Sequence, residues 1–162
     1  MLLGAPVLVC DSYLQGKGRM QGKALALLPV INTAEDNRLN QAALQRWLAE
    51  AVWFPTALLP DQGIMWEAID DTRAQATVTD SGISVSLDFE FNDLGEIVSV
   101  YAPARYREVD GDYERVPWKG YFSEYIEVDG YRILSQGEVE CQLEEQVYSY
   151  WKAEITNVRF GY

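Results

Sequence analysis

From Ile83 to Phe91 every odd position is apolar and every even position is Ser, Asp or Glu. Such alternation points successive side chains to opposite faces, so this run is a strand with one buried and one polar face. Asn92-Asp93-Leu94-Gly95 supplies a turn, and Glu96 to Ala102 returns as the partner strand. The same grammar holds from Gly63 onward. Short segments at 64–70 and 73–79 precede the Asp80-Ser81-Gly82 turn. Aromatic-rich segments follow at 105–109, 113–118, 121–128 and 131–134, punctuated by Asp110-Gly111-Asp112 and Asp129-Gly130. Segments 137–143 and 147–160 complete a chain of strands too closely spaced for parallel crossovers.

One convincing helix precedes this array. After a polar link with Asn37 as the most natural cap, Arg38 to Val52 places Leu44, Trp47, Leu48, Ala51 and Val52 on one stripe. Gln45, Arg46, Ala49 and Glu50 fall on the other side, and Phe54-Pro55 ends the helix. Pro55 to Pro60 is an apolar connector with room for one helical turn. Before the helix, Val7 to Tyr13 reads as a strand and Gln15 to Gly18 as a turn. Arg19 to Ile31 follows as one extended segment closed by Pro29. The expected fold is α+β, mainly β: a curved antiparallel sheet, an open half-barrel, packed on one main helix. Residues 1–162 form one domain, long enough to bury a core without staples.

Composition narrows the chemistry. Thirteen basic against 25 acidic side chains give a formal charge of -12, which opposes nucleic acid and anionic head groups as partners. There is no histidine, so Ser-His-Asp and Cys-His arrangements, His-ligated zinc and the usual neutral-pH proton shuttle are excluded. Cys10 and Cys141 are far apart with no second cysteine near either, and two buried thiols are the expectation. No metal and no cofactor is expected. Met1 to Cys10 has no basic residue before its apolar run, Pro6 interrupts it, and Val9 is too bulky for a cleavage site, so it reads as a strand. No stretch approaches the ~20 apolar residues of a membrane span, and the expected location is cytoplasmic.

Without histidine, catalysis would rest on carboxylates, Tyr, Lys or Cys. Glu67, Asp70 and Asp71 cluster, but Asp88 and Glu90 project opposite the apolar face, into solvent. Asp110-Gly111-Asp112 lacks the further ligands of a calcium loop. Glu50 stands in the last helical turn, where the helix dipole disfavours a negative charge. It therefore calls for a cation, with Arg46, Arg73 and Arg105 as candidates. Trp53, Trp66 and Trp118 each adjoin a proline, a turn or a strand start, where an open sheet leaves a mouth. The candidate ligand-binding residues are Glu50, Trp53, Trp66, Arg105 and Trp118.

The block Leu48-Ala49-Glu50-Ala51-Val52-Trp53-Phe54-Pro55-Thr56-Ala57-Leu58-Leu59-Pro60, followed by Trp66-Glu67-Ala68-Ile69-Asp70, resembles a bacterial family with no assigned function. Gly18-Arg19-Met20, Val85 to Phe89, Arg105-Tyr106-Arg107, Pro117 to Gly120 and Tyr150-Trp151 extend the resemblance over most of the chain. Relatives with longer N-termini imply that this chain lacks one or more strands of the sheet. The pattern is also loosely similar in architecture to the open half-barrels of lipoprotein carriers. Neither likeness supplies a catalytic residue. The expected function is a non-enzymatic module that binds an apolar or amphipathic small molecule between helix and sheet. The alternatives are an interaction domain, a homodimer paired through an edge strand, and a carboxylate-based hydrolase or isomerase.

Overall fold

The computed structural model describes residues 7–24, 28–32 and 35–159. Strands β1 (Val7–Leu14), β2 (Lys17–Ala24) and β3 (Leu28–Asn32) form a small antiparallel sheet in that order. The helix α1 (Asn37–Glu50) follows. Seven further strands make a second sheet: β4 (Ile64–Ala68), β5 (Arg73–Asp80), β6 (Ile83–Phe91), β7 (Ile97–Val109), β8 (Asp112–Val128), β9 (Tyr131–Gln142) and β10 (Val147–Glu154). Their spatial order repeats their chain order, so the large sheet is an antiparallel meander, and it does not close. The mainly β, one-helix fold expected from the sequence is therefore observed.

Turn chemistry explains the hairpins of both sheets. Gln15-Gly16, Ser81-Gly82, Asp110-Gly111 and Asp129-Gly130 share one conformation, φ 51° at the first residue and 79–85° at the glycine. Two consecutive positive φ values match the twist of antiparallel strands, and glycine at the second position accepts them without a Cβ clash.

Several boundaries differ from the sequence expectation. The helix is capped by Asp36, not Asn37: its side chain accepts the Arg38 N–H at 2.7 Å. The Arg38 side chain also bonds that carboxylate and, with the backbone N–H, lowers the Asp36 pKa from its ordinary value. The α-helix stops at Glu50, and short 3₁₀ turns at Ala51–Trp53, Pro55–Leu58 and Pro60–Gln62 carry the chain to β4. Arg19 to Ile31 is not one segment but parts of two paired strands. Pro29 lies inside β3 at a register shift on the sheet edge, the kind of strand position where proline is tolerated. The breaks expected near Lys119-Gly120 and Ser135-Gln136 are absent, because β8 and β9 run through them. Gly120 is an interior strand residue with Val100 packed where its Cβ would stand, at 3.0 Å. Met1 to Pro6 and the end of the last expected strand at Phe160 lie outside the described residues.

The helix is buried over a wider arc than its stripe suggests. Leu44, Leu48, Ala51 and Val52 enter the core against Val85, Leu87, Phe89, Val100 and Leu134. Ala49 and Gln45, expected on the open side, are also buried, whereas Trp47 is 37% exposed. The cause is the β1–β2 hairpin, which packs on α1 from the side away from the main helix contacts with β6 and β7. The Gly18 N–H donates to Asn40 Oδ1 at 2.7 Å. A Cβ on Gly18 would lie 2.8 Å from Ala43 Cβ and 2.9 Å from the Leu39 carbonyl oxygen. At the hairpin's tip Gly16 packs against Ser81, and Tyr13 donates its hydroxyl proton to Asp80 at 2.7 Å.

This close approach makes Gly18 sensitive to the smallest possible addition. Gly18→Ala is expected to cost about 1–3 kcal/mol through overpacking. Thermal unfolding should read this as a fall of roughly 2–4 °C per kcal/mol for a chain of this size. An unchanged melting temperature would contradict the docked hairpin.

Candidate functional site

The helix covers the centre of the large sheet and leaves the helix-facing side of β8–β10 partly open. Between them lies a cleft of about 970 Å³, at the upper end of the ~300–1,000 Å³ usual for small-molecule sites. One wall is the helix flank at Ala42, Arg46 and Ala49, continued by Trp53 in the first 3₁₀ turn. Trp118, Phe122, Val139 and Cys141 form the sheet wall, and Tyr148, Tyr150 and Trp151 of β10 close the side.

Strand parity puts the sheet wall together. Val116, Trp118, Gly120 and Phe122 alternate along β8 with their buried faces toward the helix. Trp118 pairs with Cys141, Gly120 with Val139 and Phe122 with Gly137. Trp53 stands above this row, edge-on to Phe122 (centroids 5.7 Å, 88°) and to Trp151 (6.0 Å, 73°). Gly137 makes room for it: a Cβ there would lie 2.9 Å from the Trp53 ring. The Trp118 indole N–H donates to the Tyr150 hydroxyl at 2.8 Å.

A bulge delivers Arg105 to the same face. Ala102 pairs with Trp118 and Arg105 with Val116, so two residues of β7, Pro103 and Ala104, stand opposite Pro117 alone. Neither proline can donate to a ladder, which is why the pairing breaks there. The extra residue reverses the parity of β7, and Arg105, not Ala104, shares the helix-facing side with Ala102. Its guanidinium lies 5.4 Å over the Trp118 ring and donates through one terminal nitrogen to the Ala42 carbonyl at 3.3 Å.

The charges around the cleft are unevenly matched. Arg46 contacts Asp11 of β1 and lies 3.4 Å from Glu50. Burial pulls the Arg46 pKa down, the nearby Arg105 charge adds to this, and Glu50 and Tyr150 oppose it. Arg107 pairs with Glu114 at 3.1 Å and lies over the Tyr148 ring. Among the described residues, no carboxylate reaches Arg105. The buried side-chain polar atoms without a hydrogen-bond partner there are Trp53 Nε1 and Arg105 Nε. Both residues line this cleft.

Of the five expected ligand-binding residues, Glu50, Trp53, Arg105 and Trp118 line the cleft together. Trp66 does not. Its N–H donates to the Leu58 carbonyl at 2.9 Å, and its ring packs on Phe89 and Phe91 under the 3₁₀ turns. Glu50 finds the cation it requires in Arg46, whereas Arg73 is taken by Asp70. Arg46, Phe122 and Cys141 were not singled out by sequence as cleft residues, although the parity of β8 was a usable signal for Phe122. The acidic clusters stay apart from the cleft. Asp88 accepts from Gln75 at 2.8 Å and Glu90 from Ser99 at 2.7 Å, half-buried on the opposite sheet face rather than open to solvent. Asp70 caps its own turn through Thr72 and Arg73. Among the described residues no group of three His, Cys, Asp or Glu is placed to hold a metal ion.

These features define an open antiparallel meander with one helix laid across it and an aromatic cleft beside the helix. The chain belongs to the family of unknown function DUF6920, whose model matches residues 1–160. This agrees with the expected membership of a family without an assigned function. No curated protein and no solved structure matches the chain. No helix among the described residues is long and apolar enough to cross a membrane.

Both cysteines are free thiols, but only Cys141 is buried, as expected for both; Cys10 is exposed on β1. Burial raises the Cys141 pKa, with Arg105 and Arg107 opposing. The buried neutral thiol therefore contributes stability that is full below the ordinary thiol pKa and declines as pH rises through the raised one. Thiol titration at pH 8 should label Cys10 at once and Cys141 only slowly or after denaturation. Equal rates would contradict the burial of Cys141.

Proposed function

We propose that this protein is a non-enzymatic binding module that holds an apolar or amphipathic small molecule in the cleft between α1 and the sheet. The observation that carries this reading is the conjunction of an aromatic-lined cleft of about 970 Å³ with two unpartnered buried donors on its walls. An unmade hydrogen bond in a buried site costs about 1–3 kcal/mol, and a ligand acceptor would recover it.

A hydrolase or isomerase built on carboxylates has less support. General acids at neutral pH need raised carboxylate pKa values. The shifts at Asp36, Asp70, Glu96, Asp112 and Glu138 are all downward, through hydrogen bonds to Arg38, Arg73, Asn92, the Tyr113 N–H and Ser149 respectively. Pairing of two copies through an edge has one supporting feature: β10 is an edge strand with Val147, Tyr148, Tyr150 and Trp151 exposed. Two free thiols suit a reducing, cytoplasmic setting.

Native mass spectrometry of protein purified without denaturation tests the reading. We expect a monomer carrying an extra mass that denaturation releases, and saturable quenching of tryptophan fluorescence when dodecanoate is added to stripped protein. A bare dimer with no response to dodecanoate, dodecanol or dodecyl phosphate would replace this reading with edge pairing.

A further inference from the structure

The cleft's charge pattern names the class of ligand. Three guanidinium groups line it, at Arg46, Arg105 and Arg107. Arg46 is matched by Asp11 and Glu50, and Arg107 by Glu114. Arg105 has only the Ala42 carbonyl and the face of Trp118. A cation held in a partly buried site without a counter-ion is an incomplete arrangement, and its unpartnered Nε–H is a donor still to be satisfied. Trp53 Nε1, the second unpartnered donor, stands on the same cleft beside Phe122.

The geometry points to an amphipathic monocarboxylate as the ligand, its acid group on the Arg105 guanidinium and its apolar body along Trp53, Trp118 and Phe122. This rests on the binding-module reading and specifies it. Arg105 is suited to the task because the planar guanidinium presents Nε–H and a terminal N–H in a fork that matches two carboxylate oxygens. The guanidinium lies 5.4 Å over the Trp118 ring, beside the apolar wall of the cleft. Neither unpartnered nitrogen is open to water in the free protein. A carboxylate would reach the Nε–H only once the Arg105 side chain shifts toward the cleft, and that shift would exchange an unmade bond for a charge-assisted one. A single charge is specified because one uncommitted cation faces a rim that carries Glu50, Glu108 and Asp110. A doubly charged phosphate would meet those acids with no second free cation to offset them.

Matched probes on the full chain at pH 8, where an aliphatic carboxylic acid is ionised, separate this inference from the reading it rests on. Calorimetric titration should show dodecanoate binding roughly tenfold or more tighter than dodecanol, with dodecyl phosphate weaker than dodecanoate. Arg105→Gln should abolish the preference for dodecanoate over dodecanol. Arg105→Lys, which keeps the charge and loses the fork, should fall between. Arg73→Gln removes the same charge at the other side of the sheet and should keep the full preference. Equal binding of acid and alcohol, tighter binding of the phosphate, or a preference that survives in Arg105→Gln would each overturn the monocarboxylate assignment while leaving the binding module standing. Binding of none of the three probes would remove both. The acid–alcohol comparison uses the unmutated protein, so it decides the matter even where a variant fails to fold.

Discussion

The Gly18 N–H meets the buried Asn40 oxygen at 2.7 Å, with no Cβ between the hairpin backbone and the helix. That close approach determines where α1 sits. The helix is held from one side by the β1–β2 hairpin and from the other by β6 and β7. Ala42, Ala43 and Ala49 keep its flanks thin enough for both layers to reach it. A helix clamped in this way cannot slide across the sheet to cover β8–β10. The cleft is the part of the helix-facing surface that remains.

A second local constraint gives the cleft its chemistry. Pro103 and Pro117 sit at the point where β7 and β8 lose register, and the single extra residue turns Arg105 toward the helix. Three layers then contribute charge to one place: Asp11 from the small sheet, Arg46 from the helix and Arg105 from the large sheet. Asp11 and Glu50 satisfy Arg46, and Arg105 is left as the uncommitted cation. Burial and mutual repulsion of the two arginines raise the cost of that arrangement, since charges interact more strongly away from water. The acidic ligand group proposed above would offset it.

Local chemistry is what made much of this fold legible in the sequence. The alternation of Ile83 to Phe91 and the Ser-Gly and Asp-Gly turns depend on backbone geometry within a few residues, and the structure reproduces them. The two-sided burial of α1 was not legible, because alanine at Ala49 is compatible with either face and the covering hairpin lies far away in sequence. The same limit hid the bulge. Pro103 falls between two expected strands and Pro117 inside a third, and only their pairing shows that one long strand bends past another. Trp66 failed as a cleft residue for a similar reason. Its place beside a strand start suggested a mouth, but the 3₁₀ turns from Pro55 to Gln62 fold over that end and give its N–H the Leu58 carbonyl.

The proposed ligand site is one location, the side of the helix where Trp53, Arg105 and Trp118 line the same cleft. The five indole N–H groups provide five separate reporters. An indole-region ¹⁵N–¹H NMR titration with dodecanoate tests the location most directly. The resonances of Trp53, Trp118 and Trp151 should shift together along one saturating curve, while those of Trp47 and Trp66 stay fixed. A saturable response confined to Trp66 or Trp47, or none at all, would contradict the cleft as the binding site.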